Sequence, residues 1–145
     1  MDEAHYYHTS VTWKHDRIGQ IDAPVMPPVE VATPPEFPKG VPNIWSPEHL
    51  FIASANICLM TTFLSIAENS KFDFISYKAN ATGKLEKVDR IFMISEITLE
   101  PEILVDSADK IEKAERLIQK SEQHCLISNS MKTKIILQPK ITVKG

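Results

Sequence analysis

Alternating apolar and polar positions near both ends and in the middle of the chain surround two stretches of helical spacing. The first alternation, His5 to Trp13, carries Tyr6, Tyr7, Val11 and Trp13 and predicts a strand. Lys14 to Gly19 reads as a turn, leading into a second strand through Ile21. Leu50 to Ala67 holds no charged residue and predicts a helix. Its start is written in Ser46-Pro47-Glu48: a serine N-cap, a proline in the first helical position and an acid at the positive end of the dipole. The helix should run to Glu68 or Asn69. A strand then follows from Phe72 to Gly83, with a turn near Glu86 to Asp89. Ile91 to Glu100 returns as the second arm of a long antiparallel hairpin. Ala108, Ile111, Ala114, Leu117 and Ile118 keep the spacing of a second helix, capped by Asp106 or Ser107 and ending near Gln123. Cys125 opens a short helical or turn segment. Ile135 to Val143 alternates again but is interrupted by Pro139, which predicts an edge strand.

Between the second strand and the first helix, residues 24–45 concentrate proline. Proline fixes φ and removes a backbone donor, so this segment is extended and irregular. Phe37, Ile44 and Trp45 give it side chains to bury, and an edge strand is expected near Val29 to Val31. It reads as a long ordered loop.

The chain of 145 residues suits one domain, 1–145, with a core large enough to stand without staples. A net charge of −3 without a basic stripe argues against a nucleic-acid partner. The start Met1-Asp2-Glu3 is acidic with no apolar run behind it, unlike a secretory signal. Two cysteines do not make a secreted disulfide scaffold, so a cytoplasmic setting is expected. Leu50 to Ala67 reaches the lower length limit of a membrane span. Ser54, Asn56, Thr61, Thr62 and Ser65 scatter polarity around it, and no Lys or Arg flanks it closely. A helix covered on all sides, by its own chain or by a partner subunit, is the expectation. His5, His8, His15 and His124 have neither the spacing nor the acidic partners of a metal set.

Cys58, in the middle of the apolar helix, and Cys125, just before Ser128-Asn129-Ser130, carry the candidate chemistry. A thiol in apolar surroundings is ordinarily inert, because burial keeps it protonated. A second thiol downstream and Arg17 upstream open a redox reading. Phe51, Met60 and Phe63 are core candidates, or the lining of an apolar pocket for an alkyl chain.

Ser46-Pro47-Glu48-His49-Leu50-Phe51, with Cys58 ten residues after the glutamate, resembles the Asn-Pro-Glu-x-Leu…Cys helix of the OsmC/Ohr family. Lys113-Ala114-Glu115-Arg116-Leu117 followed by His124-Cys125-Leu126-Ile127-Ser128 resembles that family's second-cysteine region. The resemblance spans nearly the whole chain. It implies an α+β fold of antiparallel sheets with a long buried central helix and a second helix, in an intertwined homodimer. It further implies thiol-dependent reduction of organic hydroperoxides, with Cys58 attacking, Cys125 resolving, Glu48 as the carboxylate and an arginine as the cation. Arg17-Ile18-Gly19 matches the Arg-x-Gly turn of the hydroperoxide-resistance branch. In the osmotically inducible branch the arginine precedes the central helix, where this chain has only Lys39.

Such a mechanism uses no haem, flavin or metal, because sulfur performs the redox step. The guanidinium would stabilise the thiolate and the charge developing as the O–O bond breaks, while Glu48 orients it. The sulfenic acid would condense with Cys125, and an external dithiol would reduce the disulfide. Ten helical residues place Glu48 about 15 Å from Cys58. One arginine serving both therefore implies that it or the glutamate comes from the other subunit, giving shared sites in the dimer. The competing expectation is a non-catalytic or redox-sensing dimer of the same fold that binds a small apolar ligand.

Overall fold

A computed structural model of the chain describes residues 3–145, so Met1 and Asp2 lie outside the described residues. The chain divides into two compact units, residues 1–50 and 51–145.

In the first unit, β1 (Ser10–His15), β2 (Ile18–Asp22) and β3 (Val29–Ala32) form an antiparallel sheet in chain order. The first strand begins later than the alternation predicts, and the turn shortens to Asp16-Arg17. Asp16 adopts a left-handed φ of 50°, and the Trp13 indole Nε1–H donates to its carbonyl at 3.0 Å. Every residue of β1 is exposed, Trp13 at 75%. The proline-rich segment is ordered: the Ala32 N–H donates to Trp45 O at 2.9 Å, and Val41 N–H to Thr33 O at 2.9 Å. Gly40 is required there, because a Cβ would run into the backbone of Pro34 and Pro35.

α1 (Pro47–Asn69) starts where the sequence signals it. Ser46 Oγ accepts the His49 N–H at 3.1 Å, and Leu50 N–H closes the first turn on Ser46 O at 3.0 Å.

In the second unit, β4 (Ser76–Val88) and β5 (Ile91–Val105) form the long hairpin. Its two-residue turn, Asp89-Arg90, takes left-handed φ at both positions, as hairpins with two-residue loops require. The turn lies later than predicted, and Phe72 and Phe74 precede the strand rather than belonging to it. α2 (Ile111–Gln123), preceded by the 3₁₀ turn Ala108–Lys110, ends as expected. α3 (Leu126–Asn129) follows with Cys125 as its N-cap. Pro139 splits the last alternation into β6 (Lys134–Leu137) and β7 (Lys140–Val143), which pair in parallel along β5. The second sheet is therefore mixed, its antiparallel hairpin edged by two short parallel strands.

The core of this unit lies between α1, β5 and α2. Ala55, Leu59, Phe63 and Ala67 come from the helix; Ile97, Leu99, Ile103 and Val105 alternate along the strand; Ala114, Leu117 and Ile118 complete it. Gly83 lets Ile52 lie directly against the β4 backbone.

The chain itself packs only part of α1. α1 is long and apolar enough to cross a membrane by length and composition, and one stripe of it is packed in the core. Its opposite stripe is not covered by the chain: Ile57, Met60 and Leu64 are 56%, 36% and 42% exposed. Period-3.6 spacing puts these three on one face, so within a single chain the helix keeps an exposed apolar side, where the sequence expectation allows a partner subunit to sit.

Candidate active site

Cys58 faces inward from the middle of α1, and Cys125 sits at the junction of α2 and α3. Both are free and buried, at 9% and 0% exposure. The fold brings them together. α2 ends at Gln123, and the Cys125 N–H donates to Glu122 O at 3.2 Å, which turns the chain back toward α1.

The two thiols are pushed in opposite directions. Burial raises Cys58, but hydrogen bonding from the Cys125 thiol, the Ile127 N–H, the Thr62 hydroxyl and the Leu126 N–H outweighs it. The net result holds Cys58 below the ordinary thiol value. Thr62 lies one helical turn on, with its Oγ1 3.9 Å from Cys58 Sγ. Cys125 goes up: burial dominates, Ser128 opposes it through its hydroxyl and N–H, and a charged Cys58 beside it adds to the rise. Cys58 is thus the more acidic thiol of the pair and Cys125 the less acidic.

Three further polar groups converge on Cys125 that sequence reasoning did not single out. Tyr77 from β4, Glu122 from the end of α2 and Ser128 from α3 each bury a side-chain oxygen without a hydrogen-bond partner. Burial, then the charges of Glu122 and Cys125, drive the Tyr77 phenol well above its usual range, so it stays protonated. Burial raises the Glu122 carboxyl, with Ser128 only partly opposing it. The Ser128 hydroxyl thus bears on both Glu122 and Cys125, lowering each, without closing a full hydrogen bond to either. Glu122 carried a legible signal: it stands four residues after Ile118, on the apolar face of α2, where a carboxylate is out of place. Tyr77 and the N–H groups of Leu126 and Ile127 carried none.

The other predicted groups belong to residues 3–50. Arg17 is exposed on the β1–β2 turn and lines a cavity of about 490 Å³ with Trp13, Ile18, Thr33 and Pro47. It makes no ion pair among the described residues. Glu48, in the first turn of α1, buries Oε1 without a partner. Lys39 is exposed in the proline-rich segment at a left-handed φ of 64°. Of the pocket candidates, Phe63 is core. Met60 lines a cavity of about 130 Å³ with Asn56, Ile57 and Tyr77. Among the described residues no group of three metal-ligating side chains occurs.

A hairpin-based sheet packed on a long helix, with one buried thiol on that helix and another at the end of a second, defines an α+β protein with two buried cysteines. The sequence model of the OsmC-like protein family matches residues 40–140, and the chain belongs to that family. It is 21% identical to YmaD of Bacillus subtilis strain 168, covering 97% of this chain and 95% of that protein. Among solved structures it is similar to the OsmC-like protein VCA0330 of Vibrio cholerae. That match has a TM-score of 0.86 and 23% identity, over 94% of this chain and 99% of the other. It is also similar to an organic hydroperoxide resistance protein of Elizabethkingia anophelis. There the TM-score is 0.78 and the identity 22%, over 99% and 100% of the two chains. At these identities the structural likenesses speak to the fold.

Proposed function

We propose that this protein is a thiol peroxidase that reduces organic hydroperoxides, working in the cytoplasm as a homodimer. The observation that carries the reading is the opposed pair: a thiol held below its usual pKa beside one held above it. The Cys58 thiolate attacks the terminal peroxide oxygen, the O–O bond breaks and the alcohol leaves, with the Cys58 sulfur now a sulfenic acid. Cys125 attacks that sulfur, water departs, and the disulfide is reduced by an external dithiol. The name of the Elizabethkingia relative supports the substrate class.

Arg17 supplies the cation at the peroxide, and Glu48 orients it. Unused bonding capacity supports both roles, since Arg17 lacks an ion pair among the described residues and Glu48 Oε1 lacks a partner. A second copy of the chain delivers this pair to Cys58 and covers the bare stripe of α1 and the exposed β1.

The test treats reduced protein with cumene hydroperoxide, tert-butyl hydroperoxide and hydrogen peroxide, following thiol loss and the mass of the disulfide. Rapid disulfide formation with the organic peroxides is expected; no fast oxidation by any of the three rejects the reading. Sustained turnover with dihydrolipoamide is expected and separates an enzyme from a sensor. Arg17→Ala should slow Cys58 oxidation by about 10²–10³-fold, the range for removing one donor to developing transition-state charge. Lys39→Ala should leave the rate unchanged. The reverse outcome would make Lys39 the cation.

A further inference from the structure

The peroxidase reading leaves three buried polar atoms unexplained. Tyr77 Oη, Glu122 Oε2 and Ser128 Oγ are all sealed from solvent and without partners, and all lie around Cys125. Leaving such atoms unpaired is costly, so their clustering at a reactive sulfur asks for a reason. Backbone geometry explains how they meet. Glu122 ends α2 and its carbonyl takes the Cys125 N–H at 3.2 Å. Cys125 then N-caps α3, and Ser128 occupies the third position of that helix, opposite the cap. The cap is left open: the Cys125 side chain closes no capping hydrogen bond.

The chemistry supplies the reason. Resolution starts from a protonated Cys125 thiol, yet the attacking species is the thiolate, so the proton must leave sulfur as the attack proceeds. Cys58–S–OH and HS–Cys125 become Cys58–S–S–Cys125 and water. One S–S bond forms, one S–O bond breaks with its electron pair on oxygen, and one proton moves from sulfur to the departing hydroxide. No outside oxidant or reductant enters. Cys125 is fully buried, so water is poorly placed to carry that proton.

We propose that Ser128 and Glu122 form a proton relay for the resolving thiol, the Glu122 carboxylate accepting the Cys125 proton through the Ser128 hydroxyl and returning it to the hydroxide that leaves Cys58. Ser128 is the group that bears directly on the reacting thiol; Glu122 is a positioning residue that acts through it. Burial raises the basicity of Glu122 and so brings it closer to the thiol it serves. Tyr77 stays neutral and offers its O–H to the charged carboxylate or thiolate, so it is a donor and not the base. This inference rests on the peroxidase reading for its electrophile, the sulfenic acid, but the relay itself can be tested apart from it.

Two measurements on the full-length protein decide it. In the first, reduced protein meets one equivalent of cumene hydroperoxide, and sulfenic acid and disulfide are resolved in time by quenched mass spectrometry. Glu122→Gln should form the Cys58 sulfenic acid at the wild-type rate and close the disulfide about a hundredfold more slowly, the low end for a positioned base. The wild-type rise of closure rate with pH should also be displaced toward the alkaline side, where the thiol ionises unaided. Ser128→Ala should behave alike, and Glu122→Asp should recover part of the rate.

In the second, Cys58 is labelled with 5,5′-dithiobis(2-nitrobenzoate). The nitrothiobenzoate it carries is then released as Cys125 attacks, a step that needs the Cys125 proton removed but no peroxide. Glu122→Gln and Ser128→Ala should slow that release by a comparable factor. Wild-type rates of closure and release in both variants overturn the relay. If wild-type Cys58 resists every peroxide while the release is still slowed, the peroxidase reading falls and the relay stands.

Discussion

Replacing Cys58 by serine is expected to reduce peroxide consumption to the uncatalysed background, while Cys125→Ser should still consume one equivalent and stop at the sulfenic acid. The asymmetry follows from the opposed thiols, because only Cys58 is shifted toward its reactive form. The pH dependence carries the same signature. Oxidation of Cys58 should rise as pH climbs through its lowered pKa and level off below the ordinary thiol range. Removing one stabilising group, as in Thr62→Val, should move that midpoint upward, because the hydroxyl 3.9 Å away would no longer favour the thiolate. The linked stability has a definite sign. A thiol lowered in the folded state contributes stability above its unfolded pKa, and that contribution is lost as pH falls through the folded value. Cys58→Ser should therefore flatten the alkaline part of the stability curve. Stopped-flow oxidation and denaturant titrations across pH check the two halves. A midpoint at or above the ordinary thiol value would remove the physical basis for assigning attack to Cys58.

The second large effect is on stability. Phe63→Ala should cost about 3–5 kcal/mol, the range for truncating a buried aromatic, against a total of about 5–15 kcal/mol for a domain. Phe63 is fully buried at the centre of the α1–β5–α2 core. Its ring stacks on Tyr77 at 5.5 Å and tilts against Phe74 at 5.3 Å. The cavity would loosen Tyr77, whose phenol belongs to the cluster around Cys125. Disulfide closure should thus slow in the same variant, although Phe63 is not part of that cluster. Phe63→Leu, which keeps most of the volume, should cost under about 1.5 kcal/mol. The midpoint of urea unfolding measures both. A loss under about 1 kcal/mol for the alanine variant would mean that the core collapses around the gap, and that this ring is not what holds Tyr77.

Local patterning was legible to within a few residues. The Ser46-Pro47-Glu48 start and the uncharged run behind it yield α1 as observed. The spacing of Ala114, Leu117 and Ile118 yields α2, and Pro139 marks where the last strand breaks. Boundaries slipped where alternation alone was read. Phe72 and Phe74 alternate like strand residues, yet they precede β4 and pack on the core from a connection. Apolar composition also could not say how α1 is covered. A run without charges is equally suited to burial on every side or on one, and the chain buries only one.

By itself, then, the sequence determined the elements, the inward faces of β5 and α2, the family and the two thiols worth testing. Each of these depends on neighbours within a turn or two of the same element, or on motifs that survive as short strings. Only the tertiary structure brings the two thiols close enough to influence each other and makes Cys58 the more acidic. It also revealed that Tyr77, Glu122 and Ser128 gather around Cys125. Those outcomes depend on burial and on hydrogen bonds between residues far apart in the chain. A polar side chain's pKa is set by what folding removes from around it, and no local pattern records that.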